Sequence, residues 1–291
     1  MAEEVRLANR YIVRKRLGGG GMGAVYLCDD SEKGCRVAVK SMRRNPDDGS
    51  GGRNNWELFH GEFALLKGLS HPKIPKVIEF FQEEGDLYLV MEYMPGLSLQ
   101  AVMEERDSPM SQKETLDIAL QVLDTLIYLH SRTPPVIFRD LKPENLIMND
   151  KGELSLVDFG VAGHYLPGNP GDRVRLATMG YAAPEQCGHV GRSEPRSDLY
   201  ALGAMMHFLL TGNDPKDHPF EFEPLISAVP YPLSPDLEKT VARSLEREPE
   251  KRFPSAAALR EVLLCIRDGK QAAPPEQARG WVDGIKKMFG K

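Results

Sequence analysis

The stretch VIFRDLKPENLIMNDKGELSLVDFG, Val136–Gly160, sets Arg139, Asp140, Lys142, Asn145 and Asp158 among apolar runs. Taking an unpaired charge out of water is costly, so interiors avoid such clusters unless the groups pair or hold a ligand. Lys142 and Asn145 lie two and five residues after Asp140, and Asp158 lies eighteen after it. Two carboxylates, a lysine and an amide at fixed spacings point to a site that receives charge.

Upstream, residues 11–42 alternate short apolar runs with glycine and polar turns. YIVRKRLG (11–18), AVYLCDD (24–30) and CRVAVKSM (35–42) read as three strands of an antiparallel sheet. Between the first two lies LGGGGMGAVYL, in which Gly18, Gly20 and Gly23 fit G-x-G-x-x-G, followed by Val25. Glycines let a backbone approach phosphate oxygens closely. A dinucleotide-binding loop uses the same letters between a strand and a helix. Strands on both sides favour a hairpin lid here, and a plain glycine hairpin satisfies the pattern too. In VAVK, Lys40 stands two residues after Ala38, so both face one side of the strand. A lysine under a glycine lid holds phosphate as a point charge; a lysine lying along the surface with its head in water is the alternative. A phosphate-holding lysine needs an anion to fix it, and Glu62, in the next helical segment, is the best candidate.

Farther along, NPDDGSGGRNN (45–55) has loop composition, and WELFHGEFALLKGLS (56–70) has helical spacing. KVIEFF (76–81) and LYLVMEYM (87–94) read as two more strands. After Pro95-Gly96 the pattern turns helical. Residues 111–131 form an amphipathic segment with a capping box at Ser111 and Glu114. DLYALGAMMHFLLTG (198–212) is apolar nearly all round and should be a buried helix. Residues 234–246 and 255–267 also read as helices.

The chain has 291 residues, enough for one large domain or two small lobes. Apolar residues make up 41%, which supports a sizeable core, and the formal net charge of -5 excludes a global basic footprint for nucleic acid. Cys28, Cys35, Cys187 and Cys265 form no CxxC pair and read as reduced thiols of a cytoplasmic protein. The first ten residues lack the apolar core of a signal peptide, and no run of about eighteen apolar residues exists.

Taken in order, GGGGMGAV, VAVK, FRDLKPEN, DFG, AAPE and SDLYALG resemble the signature set of the protein kinases. From about residue 10 to 268 the chain resembles a eukaryotic-type serine/threonine protein kinase, the bacterial Hanks type. The resemblance implies an α+β fold with an antiparallel-sheet N-lobe (1–94), a mainly helical C-lobe (95–268), and a linker with an amphipathic tail (269–291). It implies transfer of the ATP γ-phosphate, with Mg²⁺, to serine or threonine of protein substrates. Asp140 would accept the substrate hydroxyl proton, and Lys142 would neutralise charge on the transferred group. Lys40 would hold the α- and β-phosphates, paired with Glu62; Asn145 and Asp158 would hold Mg²⁺. Leu17, Val25, Ala38 and Ile147 would sandwich the adenine. Glu92 and Met94 would bond its edge through the backbone, Met91 would be the gatekeeper, and Gly18, Gly20 and Gly23 would cover the phosphates. Glu62 is preferred to Glu57 because it lies ten residues before Pro72, where the family often has a proline-containing turn.

The chain departs from that pattern at two places. Phe138 precedes Arg139-Asp140 where the family has histidine, and a phenylalanine fills the same apolar position beside Phe159. Thr178, seven before Glu185, resembles the family threonine that bonds the aspartate and lysine of the catalytic loop, here Asp140 and Lys142, while Val174 occupies the usual site of an activating phosphothreonine. An activation segment ordered without phosphate there is the expectation, with Asp172 supplying part of the missing charge. By the same resemblance Glu185 pairs with Arg252, and Asp198 anchors the catalytic loop. A nucleotide-binding pseudokinase scaffold is the alternative reading; a small-molecule kinase is disfavoured by AAPE and the Thr178 segment.

Trp281, Ile285, Met288 and Phe289 have helical spacing with lysines beside them. Three readings stand: docking on the chain's own kinase domain, weak contact of residues 281–291 with a membrane surface through Lys286, Lys287 and Lys291, or binding of a partner. Pairing of two copies as a dimer is also left open.

Overall fold

The structure is a computed structural model describing residues 5–20, 23–42, 53–165, 178–187, 193–229 and 231–270. The expectations for Asp172, Val174, most of the 45–55 loop and the 281–291 tail lie outside those residues. Two compact units are formed, one from residues 1–105 and 136–165, the other from 106–135 and 166–291.

In the first unit, β1 (Arg6–Leu7), β2 (Tyr11–Gly20), β3 (Gly23–Asp30), β4 (Cys35–Met42), β5 (Val77–Glu83) and β6 (Asp86–Glu92) make one antiparallel sheet. Its order is β1-β2-β3-β4-β6-β5. Alternation along β4 decides what each face carries. Val37 and Val39 are fully buried in a cluster with Tyr11, Cys28 and Val90. Ala38 and Lys40 therefore point to the other face, and Ala38 lies opposite Met91 in the ladder. Helix α1 (Arg53–Lys67) connects β4 to β5. It starts before residue 56 because the glycine run ends at Gly52 and nothing in Arg53–Asn55 breaks a helix. It stops at Lys67, where the Gly68 amide bonds back to the Leu65 carbonyl at 3.0 Å.

The remainder of this unit consists of short pieces. β7 (Leu97–Ser98) leads into α2 (Leu99–Glu104), and β8 (Val136–Ile137), β9 (Leu146–Met148), β10 (Leu154–Leu156) and β11 (Gly163–His164) follow. β9 is central in a three-stranded sheet with β10 and β7, and β8 pairs with β11. None of these strands was expected from the sequence, because two or three residues are too few to display a period of two.

The second unit is helical: α3 (Gln112–His130), α4 (Pro184–Cys187), α5 (Pro195–Thr211), α6 (Leu225–Ala228), α7 (Pro235–Ser244) and α8 (Ala256–Arg267). α3 begins with the expected capping box, in which Ser111 and Glu114 each bond the other's backbone amide. α5 is buried along almost its whole length and packs against α3, α7 and α8. Asp198, on α5, is buried and its Oδ2 lies 2.8 Å from His130 Nε2. The expected Glu185–Arg252 pair is present as two bonds of 2.7 Å, with the Arg252 side chain fully buried.

Candidate active site

The hairpin β9–β10 explains how residues thirteen apart meet. Leu146 pairs with Leu156, and Ile147 with Ser155. Immediately outside the ladder, the Val157 amide bonds to the Asn145 carbonyl at 2.9 Å, which brings Asn145 beside Asp158. The turn between the strands is closed by Asn149, whose Oδ1 accepts from the amides of Lys151 and Glu153, each at 2.9 Å. On the N-terminal side a tight turn follows Lys142, with the Asn145 amide bonding to the Lys142 carbonyl at 3.0 Å. The Asn145 side-chain nitrogen donates to the Asp140 carbonyl at 2.8 Å and to Asp140 Oδ2 at 3.0 Å. Lys142 Nζ is 2.8 Å from the same Oδ2.

A second cluster forms on β4 and α1. Lys40 Nζ lies 2.7 and 2.9 Å from the two oxygens of Glu62 and 2.8 Å from Asp158 Oδ1. Glu62 is thus the carboxylate that fixes the lysine. Burial opposes charge on Lys40, but the two carboxylates outweigh it and hold the pKa above the usual lysine value. Desolvation likewise works against a charged Asp158, but the ammonium of Lys40 outweighs it and keeps that carboxyl below the usual carboxylate range. Both groups are charged at neutral pH.

A cavity of about 530 Å³ opens over this cluster. Its apolar part is lined by Leu17, Val25, Ala38, Met91 and Ile147, together with Glu92 and Met94, and its polar part by Gly18, Lys40, Glu62, Asn145 and Asp158. That size and composition suit a small organic molecule with a charged end. Gly23 is not among the described residues that line it. It pairs with Gly20 in the β2–β3 ladder, and a Cβ on Gly23 would stand 1.9 Å from the Ser41 carbonyl oxygen, so close strand packing already requires glycine there. The sequence reading missed Gly19, Leu97, Ser98, Glu144 and Val157 in the wall. Glu144 carried a signal, because it lies between Lys142 and Asn145 in the charged stretch.

The protein kinase domain family matches residues 11–263. The chain belongs to that family. The chain is 35% identical over 274 residues to "Serine/threonine-protein kinase C" of Synechocystis sp., covering 88% of this chain and 50% of that protein. It is 32% identical over 286 residues to "Serine/threonine-protein kinase PknA" of Nostoc sp., covering 94% and 49%. It is 30% identical over 304 residues to "Serine/threonine-protein kinase PknB" of Mycobacterium tuberculosis, covering 97% and 46%. The chain spans about half the length of the curated relatives it matches.

Within the kinase domain, Phe138 and Phe159 are both fully buried and meet edge to face at 5.0 Å and 79°. The phenylalanine that replaces histidine thus packs beside the Phe of Asp-Phe-Gly, as its apolar character implied. Among the described residues no cluster of three or more His, Cys, Asp or Glu side chains forms a metal cage. The donors nonetheless fit Mg²⁺, which is usually held by one or two carboxylates together with substrate phosphates. Asp158 offers a half-exposed carboxylate, and Asn145, whose side-chain nitrogen is bonded to Asp140, adds an amide oxygen to the donor set. No described helix is long and apolar enough to cross a membrane.

Proposed function

We propose that this domain transfers the γ-phosphate of ATP to serine or threonine hydroxyls of protein substrates. The observation that carries the reading is the shared wall: Lys40, Glu62, Asn145 and Asp158 line one cavity, and Asp140 is bonded to Asn145. The named serine/threonine kinases among its relatives support it.

The chemistry follows from what each group can do. The apolar walls of Leu17, Val25, Ala38 and Ile147 receive a flat base, with Met91 at the back and the backbone of Glu92 and Met94 at its edge. Gly18, Gly20 and Gly23 would cover the phosphates, their missing side chains admitting phosphate oxygens close to the backbone. Lys40 binds α- and β-phosphates as a point charge, and Glu62 holds it in place. Bound Mg²⁺ would neutralise phosphate charge, and Asn145 and Asp158 are the residues that would hold it. Asp140 orients the substrate hydroxyl and accepts its proton at Oδ2 or Oδ1. Lys142, at 2.8 Å from Asp140 Oδ2, places a cation where charge on the transferred group needs stabilising. Phosphoryl transfer asks for positioning and charge stabilisation rather than covalent chemistry, and these groups supply both. We assign nucleotide covering to residues 1–94 and the acceptor loop to 95–268, leave 269–291 as a tail, and place the protein in the cytoplasm.

Incubation with radiolabelled ATP, MgCl₂ and a generic protein substrate, followed by acid hydrolysis, tests this. Labelled phosphoserine or phosphothreonine is expected. No transfer, or phosphotyrosine alone, contradicts the proposal.

A further inference from the structure

Tyr200 and His207 stand seven residues apart on α5, which is two helical turns, so they share one face. Both meet Phe222 edge-on, with ring centroids 6.3 Å apart at 79° for Tyr200 and 5.2 Å at 76° for His207. His207 is only 4% exposed, and its Nε2 lies 2.9 Å from the Glu223 carbonyl oxygen. A carbonyl only accepts, so Nε2 carries the proton and Nδ1 of the neutral ring carries none. His207 does not line the nucleotide cavity, and the phosphoryl-transfer reading gives it no task.

Phe222 and Glu223 belong to a surface segment, residues 221–229, that contains α6. Within it Leu225 is buried, whereas Ile226 next to it is 63% exposed. Bonds of the Ala228 amide to the Pro224 carbonyl and of the Val229 amide to the Leu225 carbonyl shape the segment without attaching it. Among the described residues, two hydrogen bonds tie 221–229 to its neighbours on α5 and α7. Glu238 Oε2, on α7, accepts from the Ile226 amide at 2.8 Å, and the imidazole of His207 donates to Glu223. The second tie depends on a ring that titrates near neutrality.

We propose that His207 is a pH-sensitive latch: its neutral ring holds segment 221–229 on α5, and uptake of a proton at Nδ1 releases the segment. The latch goes beyond the kinase reading and does not rest on it. Adding a proton would place a charge where the ring meets Phe222 and a backbone carbonyl. Burial accordingly holds the His207 pKa below the ordinary histidine value, although the Glu223 carbonyl and the charges of Glu238 on α7 and Glu223 on the segment draw it upward. Tyr200, across Phe222, is pushed up to about 12 by burial and stays neutral. A histidine lowered in this way contributes stability above its unfolded pKa and loses it as pH falls toward the folded one. Release uncovers Leu225 and Phe222 beside the exposed Ile226, so an apolar surface appears in mild acid.

Hydrogen–deuterium exchange of the full chain, read on peptides covering 221–229 and corrected for the intrinsic pH dependence of exchange, tests the latch. One proton changes an opening equilibrium by at most tenfold per pH unit, so wild-type protection of 221–229 should fall about tenfold between pH 7.5 and pH 5, with α3 unchanged. His207→Gln keeps a side-chain N–H donor and has no ionisable group, so its protection should stay within about twofold over the same span. Constant protection in wild type, an equal fall in His207→Gln, or a fall shared by α3 overturns the proposal; a response that survives in His207→Gln belongs to another group, Glu238 among them. Should His207→Gln not fold, the ring nitrogen chemical shifts of His207 in wild type decide. Protonation that coincides with loss of protection supports the latch. A protonated ring over a protected segment, or a released segment beside a neutral ring, overturns it.

Discussion

Lys40 stands between two carboxylates, and the one on α1, Glu62, has a side chain only 2% exposed. Removing the lysine strands that carboxylate. Breaking a buried pair from one side costs about 3–5 kcal/mol, most of it the penalty on the charge left behind. Burial already pushes the Glu62 carboxyl upward, and Lys40 is the main group opposing that shift. Without Lys40 the folded-state pKa rises further above the unfolded value. A group raised in this way contributes stability at low pH and loses it as pH rises through the folded pKa. The melting temperature of Lys40→Met should therefore lie well below wild type at pH 8 and closer to it at pH 5. Lys40→Met/Glu62→Leu should show a gap that varies less with pH than that of Lys40→Met. In the wild type, Asp158 is lowered and Lys40 raised, so their pair is intact from above the carboxylate range to the lysine range. A Lys40→Met gap that is constant across the same pH span would contradict the buried pairing of Glu62. The lysine and its partner were legible in the sequence, because VAVK fixes the strand face and the distance to Pro72 separates Glu62 from Glu57. The bond of His207 to the Glu223 carbonyl was not, since nothing in those letters tells which way the imidazole turns.

Among the elements, long periodic segments were read correctly and short ones were not. α3 announced itself by a helical stripe and a capping box, and α5 by an apolar run nearly as long as the helix. The β9–β10 hairpin, which carries Asn145 to Asp158, has strands of three residues and left no period to detect. The Glu185–Arg252 pair is an element-scale tie, joining α4 to the turn before α8. Arg252 also donates to the carbonyls of Glu246, Arg196 and Arg247, so its cation is surrounded by acceptors and cannot reach water. Glu185→Gln removes the countercharge and keeps the shape. A loss of about 3–5 kcal/mol is expected for an uncompensated buried charge. At roughly 2–4 °C per kcal/mol for a domain of this size, thermal melting followed by circular dichroism should shift down by about 10 °C. A shift under about 2 °C would mean that the pair contributes little, as exposed ion pairs do.

For the molecule as a whole, composition set only the bounds, since a nearly balanced charge and a 41% apolar content fit many globular proteins. The ordered motifs carried the family, because six short patterns in one order leave few folds that use all of them. What each unit does to the chemistry depends on one acid. If Asp140 aligns the acceptor hydroxyl and takes its proton, Asp140→Asn should keep nucleotide binding, because Asp140 is not among the residues lining the cavity. General-base assistance contributes about 10²–10⁴ to a rate. The direct measurement is label transfer from radiolabelled ATP to a protein substrate by wild type and Asp140→Asn, with analogue affinity measured alongside. Transfer reduced about 100-fold or more at unchanged affinity is the predicted result. Equal transfer by the two proteins would contradict the assignment of Asp140.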